Sequence, residues 1–353
     1  MSEFYCNESF QYYPSKRDFK DLRSTIIANC IFNSFLTHTA IMLNIVTIYA
    51  IHKAATIAKP LKTILLHLAF SDVAVGFLCH PVYTSLLVKW LQMENPSCNV
   101  YRILSNSGHL LAIASSSGVV VVSMDRFLAV HLHLRYQELV THKRIVYMVI
   151  SIWVYSIFVS SMTFWEPRRT PNAFSSVSAA IGFILIFAFY IKIYLTVRRH
   201  KNQIQSMQIR EEAQSDEIKK FAALIKSTIS IFYVAIVFAV CHLPFHICSV
   251  GFKISGSSIA LKKFNLLSVT LIFLHSSLNP VIYCWKMRQV RRPIIDILRK
   301  MSRSRNKPSR LMYNQSSRVV PDNNQTLFFV LVTDIMTFKF LAFKCTASLK
   351  PVL

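Results

Sequence analysis

The chain has 353 residues, of which 53% are hydrophobic and 16% charged, with a formal net charge of +24. Soluble domains carry about a quarter charged residues, so the composition points away from a soluble protein and toward a membrane one. The basic excess does not indicate nucleic-acid binding, because long apolar segments separate the basic clusters and no polar domain carries a basic stripe.

Residues 1–24 are polar and aromatic, with Lys16, Arg17, Lys20 and Arg23, and show no leader pattern. The first apolar span is therefore expected to serve as its own insertion signal. A bilayer core roughly 30 Å thick takes about 20 apolar residues at about 1.5 Å each. Seven stretches meet this, at approximately 26–51, 63–88, 101–130, 144–165, 175–197, 227–251 and 264–285. The connections are too short for a further domain. The longest, 198–226, is charged and rich in helix formers, so it is expected to extend the fifth and sixth helices beyond the membrane. The expected fold is an all-α membrane protein built as one seven-transmembrane helix bundle, with no internal repeat of the kind that marks many transporters.

Lys and Arg near the span ends set orientation. They are denser in the first, third and fifth connections (Lys53, Lys59, Lys62, Arg135, Lys143, Arg144, Arg198, Arg199) than in the second, fourth and sixth. The tail after the seventh span, "WKMRQVRRPIIDILRKMSRSRNKPSR", has Asp296 as its sole acid. This places the C-terminus in the cytoplasm and the N-terminus outside, where Asn7-Glu8-Ser9 forms a glycosylation sequon.

Ionisable groups inside spans are costly and mark function by default. Asp72, in "LLHLAFSDVAVG", is the only acid well inside a span, with Asn44, Ser115, His275 and Asn279 as potential partners. It is either a polar anchor between helices or a carboxylate holding a cation or proton. Pro81, Pro244 and Pro280 fall within the second, sixth and seventh spans, where each removes a backbone bond and obliges neighbours to satisfy the freed carbonyl. Pro244, in "CHLPFH", and Pro280, in "NPVIY", lie among polar side chains and read as hinges.

The order of these motifs resembles a rhodopsin-like (class A) G-protein-coupled receptor over about residues 25–300. The resemblance rests on Asn44; Leu68, Ala69 and Asp72; Asp125-Arg126-Phe127; Trp153; Tyr190; Cys241, Leu243 and Pro244; and Asn279-Pro280-Val281-Ile282-Tyr283. "DRFLAV", "LRYQELVTHKR" and "LPFHI" look most like the adenosine, melanocortin and cannabinoid receptor group, adenosine receptors being nearest.

The resemblance implies roles. Asp72, Ser115 and Asn279 would form an interior sodium site. Arg126 would engage a heterotrimeric G protein when the sixth helix moves outward, with Asp125, Tyr190, Pro244, Asn279, Pro280 and Tyr283 as the switch. Residues 1–25 would be an extracellular segment, 26–285 the bundle, 286–301 a short amphipathic eighth helix on the inner leaflet, and 302–353 a disordered cytoplasmic tail. The protein would sit in the plasma membrane as an orphan receptor, not an enzyme. His275-Ser276 and similar pairs are neighbours in sequence that point in different directions on a helix, which is no catalytic arrangement.

Departures from the family narrow the ligand. His242 replaces the tryptophan before the sixth-helix proline, where a titratable ring could sense pH. The loop "EPRRTPNA" lacks the usual cysteine, leaving Cys98 as the disulfide candidate, with Cys6 as a partner or none. The amine-binding aspartate falls on Gly108 and the retinal lysine on Phe273, disfavouring a monoamine or retinal. His246 matches an adenosine-pocket residue, but Ser249 and Phe273 do not. Asn106, His109, His242, His246 and Ser249 remain as pocket candidates for a nucleoside, lipid or peptide. The alternative class is an ion-conducting or transport protein using Asp72, for which a single acid is thin.

Two features stand apart. Residues 327–343, "LFFVLVTDIMTFKFLAF", are short for a span; they read as a product of how the coding sequence was assembled, the alternative being a membrane-surface segment. The second acid that restrains the family's arginine falls near Leu224, among Lys219, Lys220 and Lys226, so Asp125 is expected to be the one strong restraint on Arg126.

Overall fold

A computed structural model describes residues 14, 18–94, 97–132, 135–165, 170–206, 213–287 and 289–296. Asn7 and residues 302–353, including 327–343, lie outside the described residues. Seven helices are long and apolar enough to cross a membrane. They are α1 (Phe19–Lys53), α2 (Lys59–Leu91), α3 (Cys98–Leu132), α4 (His142–Trp165), α5 (Thr170–Ser206), α6 (Ala213–Ser255) and α7 (Ile259–Lys286). No strand occurs among the described residues. In hydrocarbon each backbone N–H and C=O needs an internal partner, and a helix supplies both within its own segment.

The helices outrun the apolar stretches. Helix α1 starts at Phe19, not near residue 26, because its charged first turn is tied down: Lys262 Nζ on α7 donates to Asp18 Oδ2 at 2.9 Å. Helix α5 runs on to Ser206 and α6 begins at Ala213, as the helix-prone 198–226 segment leads one to expect. Between α6 and α7 the chain turns in three residues, where Gly256 takes φ +70, a left-handed conformation that glycine adopts freely. The Ser258 hydroxyl then accepts from the Leu261 N–H to cap α7. Residues 289–296 add a short helical segment within the 286–301 expected for an eighth helix, of which 288 and 297–301 lie outside the described residues.

Helix α2 departs from expectation. Its middle, Val75–Cys79, is a π turn in which the His80 N–H reaches the Val75 carbonyl. Pro81 follows directly and has no N–H to give, so the proline's disruption is absorbed by this widened turn. Pro244 and Pro280 are carried inside otherwise continuous helices.

Helix α3 packs against α2, α4, α5 and α6, and α7 against α1, α2 and α6. Two apolar cores result. One, around Leu65, Leu68, Val122, Phe238 and Tyr283, lies toward the Arg126 end; the other, around Leu22, Tyr83, Leu87, Trp90 and Phe273, lies toward the Cys98 end. The polar residues Asn44, Asp72, Ser115 and Asn279 each fall between members of the two cores along their helices, so a polar layer separates them. The outward faces of α4 and α5 carry exposed apolar residues such as Tyr147, Ile184 and Phe187, as lipid-facing surfaces do.

One close approach sets the spacing of α2 and α3. His67 on α2 holds the Ala114 carbonyl through Nε2 at 3.1 Å and accepts from the Trp153 indole N–H through Nδ1 at 3.2 Å, which fixes its tautomer and joins α2, α3 and α4. Gly118 lies beneath it: an added Cβ would meet Leu68 Cδ2 at 2.7 Å and His67 Cδ2 at 2.9 Å. Small residues at such crossings allow membrane helices to approach closely. Because His67 is held at both nitrogens, Gly118→Val is expected to cost about 1–3 kcal/mol. This would be read as a lowered thermal midpoint of the purified protein. Gly182→Ala, whose Cβ would meet only Val120 Cγ2 at 3.5 Å, should leave the midpoint unchanged.

Candidate functional site

Three groups of residues come together. The polar layer contains Asp72 and Asn279, both fully buried, with Asn279 Nδ2 donating to Asp72 Oδ2 at 2.8 Å. Asn44 Nδ2 donates to the Ser276 carbonyl at 2.8 Å and to the Ala40 carbonyl at 2.8 Å. Ser276 is four residues before Pro280, so its carbonyl is the one the proline leaves without a helical donor. A further bond between α1 and α7 joins Thr39 and Ser277, whose hydroxyls lie 3.1 Å apart. Asp72 Oδ1, Asn279 Oδ1, Asn44 Oδ1 and the Ser115 hydroxyl are buried without a protein partner. These are oxygen acceptors, as a hard monovalent cation requires. Among the described residues no group of three or more His, Cys, Asp or Glu side chains could hold a metal ion, so a cation here would depend on neutral oxygens beside one carboxylate.

At the end of α3, Arg126 pairs with Asp125 through Nε at 2.9 Å and through Nη2. Both are buried. Tyr136, in the one-turn helix Tyr136–Leu139 after α3, donates its hydroxyl to Asp125 Oδ1 at 2.6 Å. Burial and the Asp125 carboxylate push the Tyr136 phenol above its ordinary range, so it stays a proton donor at physiological pH. Arg126 Nη1 also reaches the Ser227 hydroxyl on α6 at 3.4 Å. The contact with α6 is thus made three residues beyond Leu224, and by a neutral group. Tyr190 packs on Phe232 of α6 at 4.6 Å, and the hydroxyls of Tyr190 and Tyr283 are buried without a partner.

The pocket candidates lie on two helices, Asn106 and His109 on α3 and His242, His246 and Ser249 on α6. His242 is buried, stacked on Phe238 at 4.3 Å and edge-on to His275 at 5.2 Å, which makes it part of the packing between α6 and α7. His246, one turn further, is half-buried against Phe183 and Phe245. Asn106 has its carbonyl engaged by the Ser160 hydroxyl at 2.8 Å. His109 and Ser249 are half-buried. Cys98 is disulfide-bonded, while Cys79, Cys241, Cys248 and Cys284 are free thiols.

The sequence matches the family described as 7 transmembrane receptor (rhodopsin family) over residues 43–172 and 166–283. The chain belongs to the rhodopsin family of seven-transmembrane receptors. Its relatives in this family include the adenosine receptor A2b of Gallus gallus, 23% identical over 299 residues, which cover 73% of this chain and 84% of the relative. The histamine H2 receptor of Canis lupus familiaris is 22% identical, with 80% and 82% covered. The probable G-protein coupled receptor 21 of Mus musculus is 26% identical, with 70% and 77% covered. Squid rhodopsin shares the fold, with a TM-score of 0.66 at 15% identity over 79% of this chain and 86% of that structure. Members of the rhodopsin family are cell-surface receptors that signal through G proteins.

Within this receptor-family bundle, sequence reasoning places Asp72, Asn279, Asp125 and Arg126 at the elements where the structure finds them, but it misses Tyr136, Ser227 and His67. Tyr136 stands in a loop with no periodicity to mark it, and Ser227 is one of several hydroxyls near the start of α6. The Asn44 bond to Ser276 yields a direct expectation. Removing the amide with Asn44→Ala leaves the Ser276 carbonyl buried and unpaired, at a cost of about 1–3 kcal/mol. Thermal unfolding of the purified receptor should show the loss, and Asn44→Gln should not restore it if the geometry is specific.

Proposed function

We propose that this chain is a plasma-membrane receptor, N-terminus outside, that binds an extracellular ligand and activates a heterotrimeric G protein when α6 moves outward. The observation that carries the reading is the Arg126 environment. The guanidinium is buried in an ion pair with its own neighbour, Asp125, and, among the described residues, meets α6 through a 3.4 Å contact with the Ser227 hydroxyl. A buried charge at a helix end needs a partner. Displacing α6 removes one weak contact and leaves Arg126 able to turn toward a docked G protein.

The Lys and Arg distribution supports this orientation. The ligand is read as a nucleoside, lipid or peptide. The relatives named for adenosine favour the first, whereas Gly108, at the position of the amine-binding aspartate, disfavours an ammonium ligand. Asp72, Ser115 and Asn279 would hold a sodium ion, which when bound supplies positive charge to the buried carboxylate and stabilises the closed polar layer. Asn279, on α7 one residue before Pro280, would couple that layer to the hinge. The reading of Asp72 as part of a conducting path has no second acid to support it.

The test is nucleotide exchange on purified G protein with the receptor in nanodiscs. Arg126→Ala should abolish exchange. Asp125→Asn should raise basal exchange several-fold, and Tyr136→Phe, which removes one bond to that carboxylate, should raise it less. A receptor indifferent to Arg126→Ala, whose Asp72→Asn variant instead loses an ion conductance, would overturn the proposal in favour of transport.

A further inference from the structure

The groove between α6 and α7 at the Arg126 end holds a cation in an unusual setting. Lys286, the last residue of α7, has its ammonium 3.6 Å from the Trp285 ring centroid and 4.1 Å from the Tyr233 ring centroid on α6. The two rings lie 5.9 Å apart, and the Ser230 hydroxyl donates to the Lys286 carbonyl at 3.3 Å, so both helices are joined at this level. Neither ion pair found among the described residues involves Lys286. The ring faces orient the ammonium by their quadrupoles but do not neutralise it.

The surroundings are those of a lipid. Trp285 is 62% exposed at the end of a membrane span, the depth where amphipathic aromatic rings meet headgroups. Ile236 and Val240 are exposed and share one helical face with Tyr233, at spacings of three and seven from it on the side away from the Arg126 end, so an apolar track leads from the cation along α6. Arg291 and Arg292 follow within two turns and add to the local positive potential. A free anion would meet the cation but leave the track bare to the bilayer.

We propose that Lys286, Trp285 and Tyr233 form a site for the phosphate of an anionic phospholipid, with one acyl chain lying along the Ile236 and Val240 face of α6. The headgroup accepts hydrogen bonds from the Lys286 ammonium on the side away from the rings. The site occupies the groove that widens if α6 swings outward, so its regulatory consequence rests on the receptor reading above. The binding itself does not.

The experiment is native mass spectrometry of the full chain purified in detergent and titrated with dioctanoyl phosphatidylserine. Dioctanoyl phosphatidylcholine serves as the zwitterionic comparison and glycerophosphoserine as the chain-free headgroup. Phosphatidylserine should bind tighter than phosphatidylcholine, and Lys286→Gln should weaken it about five-fold, the worth of one lysine at an anionic surface. Lys286→Arg should retain it. Lys53→Gln serves as a control for diffuse attraction, since Lys53 lies over the single Tyr49 ring at 5.7 Å, at the same end of the bundle; it should change nothing. Equal loss in Lys53→Gln and Lys286→Gln, or no loss in the latter, would overturn the site. Competition by glycerophosphoserine as effective as that by the lipid would assign it to a soluble phosphate instead. Because no G protein enters the measurement, failure of the signalling reading leaves this result intact, and the converse also holds.

Discussion

A proline in the middle of a membrane helix creates a debt of one hydrogen bond that no water in the hydrocarbon core can settle. In this receptor the bond is supplied from another helix: Asn44 on α1 gives its amide N–H to the carbonyl that Pro280 strands on α7. The rest of the polar layer is arranged around that bond. With α7 held at Ser276 by α1, Asn279 lies one turn away from it toward α2 and takes Asp72, and the hydroxyls of Thr39 and Ser277 close the seam. The weakest point of α7 is therefore the point at which its neighbours hold it most firmly.

The two ends of the bundle respond to the same problem of buried charge in different ways. Asp72 accepts from Asn279 through one oxygen, while its other oxygen and several neutral oxygens around it are buried and unpaired within the protein. Asp125 is saturated: Arg126 takes one of its oxygens and Tyr136 the other. Among the described side chains, α6 touches Arg126 through Ser227 and meets α7 through the stacking of Phe238, His242 and His275 and through the Ser230 hydroxyl on the Lys286 carbonyl.

Much of this is legible in the sequence, and the reasons are physical. A span averages hydropathy over about 20 residues, so its position survives ignorance of every individual contact, and an isolated acid such as Asp72 stands out against it. Helix ends are less legible: α1 begins at Phe19 because Lys262, more than two hundred positions away, pairs with Asp18, and nothing local announces that. Side chains that work through tertiary contact are the least legible. Tyr136 gains its role only because the loop after α3 folds back on Asp125. His67 reads as one polar residue in an apolar helix until Trp153 and the Ala114 carbonyl claim its two nitrogens. His242, taken from the sequence as a pocket residue, is buried against Phe238 and His275, a setting that depends on the rotation of α6 against α7.

The π turn in α2 bears on how this chain is to be compared with its relatives. A turn that takes in an additional residue offsets everything beyond it by one position, a rotation of ~100° about the helix axis. Correspondences counted outward from Asp72 are therefore secure as far as Ala74 and slip across Val75–Cys79 against any receptor whose second helix lacks the widened turn. His80, stacked on Phe273 at 4.2 Å, and Tyr83, edge-on to the same ring at 5.3 Å, owe their inward bearing to that offset. In a residue-by-residue alignment without a gap, the side chains lining this part of the bundle would be matched to neighbours that face lipid.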